Sequence, residues 1–430
     1  MDIRFRTNSS ASRGDPVRTS RKRGVTAIQL VVVLVPVVFA FLGFAIDLGI
    51  LYSVKGELKA AADSMALAAA SQLIGTDTAT GAATAAAQAT VENVSGLGNK
   101  YYFHGLPIGQ TNGNLISTVS DPAYYGTAAD AIASGTNTAG GASGAQAKYV
   151  RATVSAQVPL LFWSLLPTVT DRNVTVLGTA VAGISPPLCV GCGIEPFAVA
   201  AFDQNDTTDF GFILDRLYSF TYLCTGLPGP TVLAGATQQL NYLLLNRLDP
   251  NATVYPDEAS QVFRDLAGGL PGNTNGAISC FTVNQPEVLW ASAVVNPCSA
   301  RRLAPTVTNA LCGLDTRLDP VTPTSCESIP GVDTLWPVYS PDPDTNAYIA
   351  YTDYTGNGRR IITIPIVDTL SAAGSMNVLG FRQFLVSASA VTDPFGRFIA
   401  MYIGTVAPIK QGNFQSCSLS AGPGKVVLHQ

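Results

Sequence analysis

The feature that most constrains this chain is an uncharged apolar run near its N-terminus. Residues 25–46, VTAIQLVVVLVPVVFAFLGFAI, contain no charged side chain. A helix rises 1.5 Å per residue, so this run would span roughly 33 Å, about the hydrocarbon thickness of a bilayer. The run therefore predicts a transmembrane helix over residues 25–46.

Charges at the two ends of this run predict its orientation. Arg21, Lys22 and Arg23 precede it, and Asp47 follows it. Because basic flanks remain on the cytoplasmic side, residues 1–24 are predicted to form a basic cytoplasmic tail, with the bulk of the chain outside the cytoplasm. The alternative is a cleaved signal peptide, since Gly43-Phe44-Ala45 has cleavage-like small residues; the run is, however, longer than the usual core of about 7–15 residues.

The composition limits the partners that the protein can bind and indicates the compartment in which it folds. The chain has 430 residues and a net charge of -4, which argues against nucleic acid as a partner because phosphate binding needs a basic surface. All eight cysteines follow the apolar run, which predicts an oxidising compartment and up to four disulfides, with the pairing left open. These cysteines are Cys189, Cys192, Cys224, Cys280, Cys298, Cys312, Cys326 and Cys417.

A helical pattern continues beyond the membrane run. Apolar residues recur at alternating spacings of three and four, which predicts one rod from residue 25 to about residue 73, with a kink at Pro36 and a stop at Gly75. This apolar stripe consists of Leu51, Val54, Leu58, Ala61, Met65 and Ala68. Two interpretations of the stripe remain open: it packs on the protein's own globular part, or it is an interaction face for the helices of other subunits.

The rest of the chain changes to a period of two. Residues 150–158 alternate apolar and polar side chains, and the stretch 148–184 predicts a strand, a crossover and a second strand. Between these strands, PLLFWSLLP (159–167) fits a short helix or an apolar loop over the sheet. Residues 359–367, 377–391 and 397–408 predict an antiparallel meander.

We therefore predict an α+β fold: one N-terminal transmembrane helix that extends into a long pilin-like helix, followed by a largely antiparallel β ectodomain with disulfides. The predicted domains after the span are 47–184, with alanine-rich helices and a small α/β unit, and 185–430, a β-rich extracytoplasmic part.

Motifs for catalysis are scarce. The two histidines, His104 and His429, do not suffice for a triad or a zinc site, and no nucleophile elbow or phosphate loop is present. Cys189-x-x-Cys192 is predicted to be structural, bonded internally or elsewhere. Asp342, Asp344 and Asn346 predict an Asx-turn loop, because a calcium loop would need a glycine at its sharp turn. We expect no enzyme activity, cofactor, metal or small-molecule substrate.

The ordered combination around the apolar run resembles the TadE/TadG-like group of Tad (tight adherence) pilus-assembly proteins. It comprises RKRG (21–24), the run itself, Asp47-Leu48-Gly49, and the alanine-rich LYSVKGELKAAADSMALAAASQL (51–73). This resemblance implies a bacterial inner membrane, an extracytoplasmic (periplasmic) bulk, pilin-like or other pilus-assembly partners of a Flp-type pilus, and no catalysis.

The sequence departs from that pattern in two respects. Cleaved pilin-like subunits have a Gly before the helix and a Glu at the fifth position of the helix. Here Gly24 precedes the helix, but the fifth residue counted from Val25 is Gln29. We therefore predict no cleavage between Gly24 and Val25. The D-x-S-x-S metal motif of some larger members is not found in the sequence. The alternative functions are a membrane-tethered adhesin unconnected with pili and, less favoured, a secreted hydrolase that uses two carboxylates.

Overall fold

The computed structural model comprises one long helix, a helix–sheet unit and a barrel unit. The described residues are 22–91, 102–103, 106–107, 111–112, 115–133, 144–160, 162, 173–223, 232–245, 263–269, 280–288, 305–318, 326, 341–347, 350–371, 375–388, 396–413 and 417–429.

The first element is the helix α1 (Lys22–Ser71), 50 residues long. It is unbroken at Pro36. It ends shortly before Gly75, whose φ of 80° is readily adopted only without a Cβ. The predicted rod is therefore confirmed within these bounds.

The helix–sheet unit is centred on β6 (Tyr149–Pro159) and β7 (Asn173–Ile184), which pair antiparallel over their whole lengths. The predicted crossover is therefore wrong, because a crossover would make the two strands parallel. The buried positions of β6 are Val150, Ala152, Val154, Ala156 and Val158, as the alternation predicts. This face of the sheet packs on α1 and on α2 (Ala79–Val91).

The remaining strands of this sheet are short. The composition of residues 96–147, rich in small and polar side chains, predicts a surface loop. Two strands from this stretch nevertheless pair with β6. The short strands are β3 (Thr111–Asn112), β4 (Leu115–Val119), β5 (Ala123–Tyr125) and β18 (Val426–Leu428). The strand order in the sheet is β18-β7-β6-β4-β3, and β5 also pairs with β6. Nearby are a two-stranded ribbon of β1 (Tyr102–Phe103) and β2 (Leu106–Pro107), and the short helix α3 (Ala128–Ile132).

The barrel unit is a ring in which β15, β14, β9, β11, β10 and β16 pair in order and β16 pairs back to β15. Closure leaves no free edge in the ring. The pairs β10–β11 and β9–β14 are parallel, and the other pairs of the ring are antiparallel. The ring strands are β9 (Phe197–Ala200), β10 (Leu217–Tyr222), β11 (Gln238–Leu244), β14 (Ile361–Val367), β15 (Ser375–Val386) and β16 (Phe398–Gly404).

One alternating set of side chains from every ring strand meets in a single core. Phe197, Phe220 and Phe384 belong to this core. The helix α4 (Pro305–Asp315) adds Val307 and Leu311. The predicted late strands 359–367, 377–391 and 397–408 are confirmed as β14, β15 and β16, which pair antiparallel in sequence order.

Outside the ring, β13 (Pro286–Val288) extends β15, and β8 (Val190–Cys192), β12 (Phe281–Thr282) and β17 (Gln411–Asn413) form a small sheet. The predicted division at residues 184 and 185 stays a prediction. β18 comes from the C-terminal side of that division and pairs with β7 on the other side.

Candidate membrane anchor and helix–sheet junction

The N-terminal part of α1 exposes apolar side chains on all sides. The large apolar residues from Ile28 to Ile46 range from 44% exposed at Val37 to 71% exposed at Phe41. A contiguous apolar surface of this kind is unfavourable in water and marks contact with lipid or protein. Among the described residues, one helical segment, Ile28–Ser71 of α1, is long and apolar enough to cross a membrane.

The apolar surface ends where α1 meets the connection that follows β6. Asp47 is only 5% exposed, and its Oδ2 accepts a hydrogen bond from the backbone N–H of Phe162 at 3.1 Å. Gly43, one turn earlier, lies under the same residue, because a Cβ there would be 2.5 Å from Phe162 Cγ. The position of Asp47 just past the apolar run favours a solvated charge over a protein contact, and this expectation is wrong: Asp47 is buried, with a backbone amide of the same chain as a partner.

Beyond Asp47 the apolar stripe faces the sheet of the same chain. Val54 is 4% exposed, and Leu58, Ala61 and Met65 are completely buried. They share one core with β6 and β7, and Leu51 packs at its margin. Ala68 is half-buried. Contact of this stripe with helices of other subunits stays a prediction.

A close backbone approach and two lysines fix α1 beside β7. A Cβ at Gly178 would lie 2.4 Å from the carbonyl of Leu58, so only glycine fits there without a shift. Lys55 Nζ donates to Leu177 O at 2.6 Å, and Lys59 Nζ donates to Thr179 O at 3.0 Å. Polar cover of this kind satisfies carbonyls that a strand edge would otherwise leave open.

Lys59 has a second partner, because its Nζ also lies 2.8 Å from Asp63 Oδ1 in an i,i+4 ion pair. The spacing of Lys59 and Asp63 in the sequence predicts such a pair on one helix face, and the structure confirms it. The outward face of this part of α1 carries Tyr52, which is 71% exposed, and Leu67, which is 36% exposed. We call residues 47–71 the stalk of α1.

The other predicted membrane-edge residues lie at the start of α1. Lys22, Arg23, Gly24 and Val25 are its first residues, and Arg21 lies outside the described residues. Sequence reasoning did not find Phe162, Gly178 or Lys55 as junction residues. The apolar composition of 159–167 is the signal for Phe162, but it predicts a short helix or a loop over the sheet and not a contact with α1.

Six of the predicted cysteines form three disulfides, which are Cys189–Cys417, Cys192–Cys280 and Cys312–Cys326. Cys189 and Cys192 therefore each bond elsewhere, which was one of the two open alternatives. Cys224 and Cys298 lie outside the described residues.

A cavity of about 500 Å³ lies between the end of α1 and the barrel unit, and the buried pair Arg317–Glu195 lines it. Arg317 Nη2 donates to Glu195 Oε1, and Glu195 Oε2 accepts from Thr363 N at 2.7 Å. Arg317 Nε donates to Ala267 O at 2.6 Å. Backbone groups therefore satisfy both the Arg317 and the Glu195 side chain, as is usual for buried charges with a structural role.

The predicted Asx turns are confirmed in the loop 341–347. Asp342 Oδ1 accepts from Asp344 N at 3.0 Å, and Asp344 Oδ1 accepts from Asn346 N at 2.9 Å. Burial by itself would raise the pKa of Asp344, but hydrogen bonds from Asn346 and Thr355, together with the charge of Arg360, lower it below the usual value. Burial also raises the pKa of Tyr354, whose hydroxyl donates to Asp342 Oδ2.

Within the ranges that the structure describes, no group of three or more His, Cys, Asp or Glu side chains is placed to hold a metal ion. His429 packs edge-on against the ring of Tyr149, with centroids 5.1 Å apart, and His104 lies outside those ranges.

The fold and the exposed apolar helix define a class: a single-pass membrane protein whose α+β fold is mostly antiparallel and carries disulfides. Residues 24–72 match the Tad family, described as "Putative Flp pilus-assembly TadE/G-like". The matched segment coincides with α1 and leaves both β-sheet units outside it. This match, together with the apolar helix, supports a pilus-related membrane protein. No curated protein and no solved structure matches the chain.

Proposed function

We propose that the protein is a structural component of Flp (Tad) pilus assembly that acts in the cell envelope through protein–protein contacts. The observation that carries the proposal is that the Tad match covers α1, the helix that combines the apolar span with the packed stalk. The span would hold the chain in the inner membrane. The stalk would present its outward face to pilin-like or other pilus-assembly proteins.

The proposed orientation places residues 1–24 in the cytoplasm and the two β-sheet units in the periplasm. Support comes from the basic residues before the span and from the disulfides, which lie after it. A retained anchor is supported by the continuity of α1 across Gly43 and by the hydrogen bond between Asp47 and Phe162 N. The intact mass and first residue of the membrane-extracted protein test this proposal.

A start at Met1 supports an uncleaved anchor. A start at Val25 shows pilin-like processing, and a start after Ala45 contradicts the anchor.

We also propose that the protein is not an enzyme. The support is that the buried charges of the barrel unit, such as Glu195 and Arg317, are engaged by backbone groups. The alternative function, a membrane-tethered adhesin unconnected with pili, is favoured by the fact that both β-sheet units lie outside the Tad match.

Affinity purification after cross-linking in the native bacterium separates these two functions. We expect a C-terminally tagged full-length chain to capture pilus-assembly proteins, and the double variant Tyr52→Ala/Leu67→Ala to capture them less well, because both side chains lie on the outward face of the stalk. Leu214→Ala is the matched control, since Leu214 is 57% exposed on the barrel unit. Capture of no pilus component by the unmodified chain would favour the adhesin.

A further inference from the structure

We call Phe162, Asn173 and Val174 the hairpin end, because they are the described residues at the end of the antiparallel β6–β7 pair where the chain passes from one strand to the other. The hairpin end lies beside the membrane span. Phe162 covers Gly43, which is within the apolar run, and its backbone N–H binds Asp47 at the end of that run. This contact joins the hairpin end to the last two turns of the span. The hairpin end therefore lies at the depth where the span leaves the bilayer.

The alignment of β7 with α1 is a second observation that places the hairpin end at this depth. Lys55 reaches Leu177 and Lys59 reaches Thr179, so strand and helix run side by side in the same direction. From Leu177 back to Asn173 the strand descends roughly 13 Å at about 3.3 Å per residue, which equals about nine residues of helix. Asn173 is therefore level with Ile46, the last residue of the apolar run.

Two side chains at this end are apolar and open: Phe162 is 40% exposed and Val174 is 38% exposed. Asn173 and Thr175 beside them are polar and exposed, and Leu177 lies about 13 Å farther from the membrane. An apolar side chain at this level gains free energy by leaving water for the boundary between headgroups and acyl chains, where the Phe and Leu side chains of interfacial helices insert. A partner protein is not needed to cover them, since lipid is already adjacent to the span.

We propose that the β6–β7 hairpin end is a second membrane contact, with Phe162 inserted into the lipid interface next to α1. This contact would hold the helix–sheet unit against the membrane surface and fix the direction in which the stalk leaves it. The inference rests on the membrane anchor of the proposed function.

Spin labels on the full-length chain in lipid nanodiscs test the inference. The variants Phe162→Cys, Phe41→Cys and Leu214→Cys each receive one nitroxide, and its collision rates with oxygen, which concentrates in lipid, and with a water-soluble nickel chelate are measured. Phe41 is 71% exposed within the span, and Leu214 is 57% exposed on the barrel unit. We expect the oxygen-to-nickel ratio at position 162 to exceed that at position 214 severalfold and to approach that at position 41.

The position-41 label separates the two failures. A water-like ratio at position 41 contradicts the anchor itself, whereas a lipid-like ratio there with a water-like ratio at position 162 overturns only the hairpin contact. A label at position 162 that is inaccessible to both agents also overturns it, because the side chain would then be packed on protein.

A photoreactive benzoylphenylalanine at position 162 provides a second measurement that retains an aromatic ring. We expect a phospholipid adduct by mass spectrometry at position 162 and none with the same residue at position 214. Adducts within the protein alone would overturn the inference.

Discussion

At the scale of single residues, buried carboxylates of the barrel unit act as acceptors for the backbone. Asp344 is 4% exposed, and its Oδ2 accepts from both the N–H and the hydroxyl of Thr355, each at 2.9 Å. An amide at this position would direct an NH₂ group at donors. Such a mismatch leaves buried donors without an acceptor.

We predict that Asp344→Asn lowers the free energy of unfolding by about 1–3 kcal/mol at pH 7. Because folding lowers the pKa of Asp344, its stabilisation is fully present above the usual Asp pKa of about 3.9 and is lost as the pH falls through the lower folded value. The wild-type stability should therefore fall more steeply below about pH 4 than that of the variant. Urea unfolding followed by near-ultraviolet circular dichroism measures both effects.

Asp353→Asn is the matched control, because Asp353 is exposed on the neighbouring turn and should change stability by less than about 0.5 kcal/mol. Equal effects of the two substitutions would contradict the assigned role of Asp344.

Gly178 makes a second prediction at this scale. Gly178→Ala should destabilise the helix–sheet unit by about 1–3 kcal/mol, since its Cβ would overlap the carbonyl of Leu58 at 2.4 Å. Gly56→Ala has open space around its Cβ and lies inside α1, so it should stabilise by about 0.5–1 kcal/mol. Thermal unfolding in nanodiscs gives the sign of each change, and the same sign for both would contradict the close approach.

At the scale of elements, α1 is one helix with two environments. Its first half presents apolar side chains in every direction, and its second half buries a single stripe against β6 and β7. The position of Asp47 marks the change between them. The stalk is therefore stabilised by packing on the sheet, whereas the exposed apolar side chains of the span require an apolar environment.

We predict that Leu58→Ala lowers the free energy of unfolding by about 2–5 kcal/mol, because Leu58 is completely buried between helix and sheet. Leu67→Ala, on the outward face at 36% exposure, should cost less than about 1 kcal/mol. Hydrogen exchange of the amides in β7, read by mass spectrometry, should rise in the first variant and stay unchanged in the second. Similar exchange in both would mean that the stripe does not hold the sheet.

At the scale of the whole molecule, disulfides and the last strand connect distant parts of the chain. Cys189–Cys417 closes a sequence separation of 228 residues, whereas Cys312–Cys326 closes 14. After Cys417 the chain returns to the helix–sheet unit, where β18 pairs with β7. The C-terminus of the barrel unit is therefore tied to the sheet that packs on α1.

We predict that Cys189→Ser/Cys417→Ser destabilises the protein more than Cys312→Ser/Cys326→Ser, by roughly 2–3 kcal/mol, because the longer loop restricts the unfolded chain more. Chemical unfolding of both double variants tests the order. The reverse order would show that contacts around the short loop outweigh loop closure.

The sequence by itself determined the features that depend on local period and composition. These are the limits of the apolar span, the stripe that continues it, the alternation of β6 and the three late strands. Each of them follows from apolar residues spaced for one helix face or one strand face, so neighbouring residues are enough to define them.

Only the tertiary structure decided what these surfaces contact. The hydrogen bond between Phe162 and Asp47 joins residues 115 apart in the chain. The parallel pairing of β10 with β11, the closure of the ring by β15 and β16, and the partners of Cys189 and Cys192 are likewise long-range. Local spacing does not encode such contacts, because they depend on which distant segments pack together when the core forms.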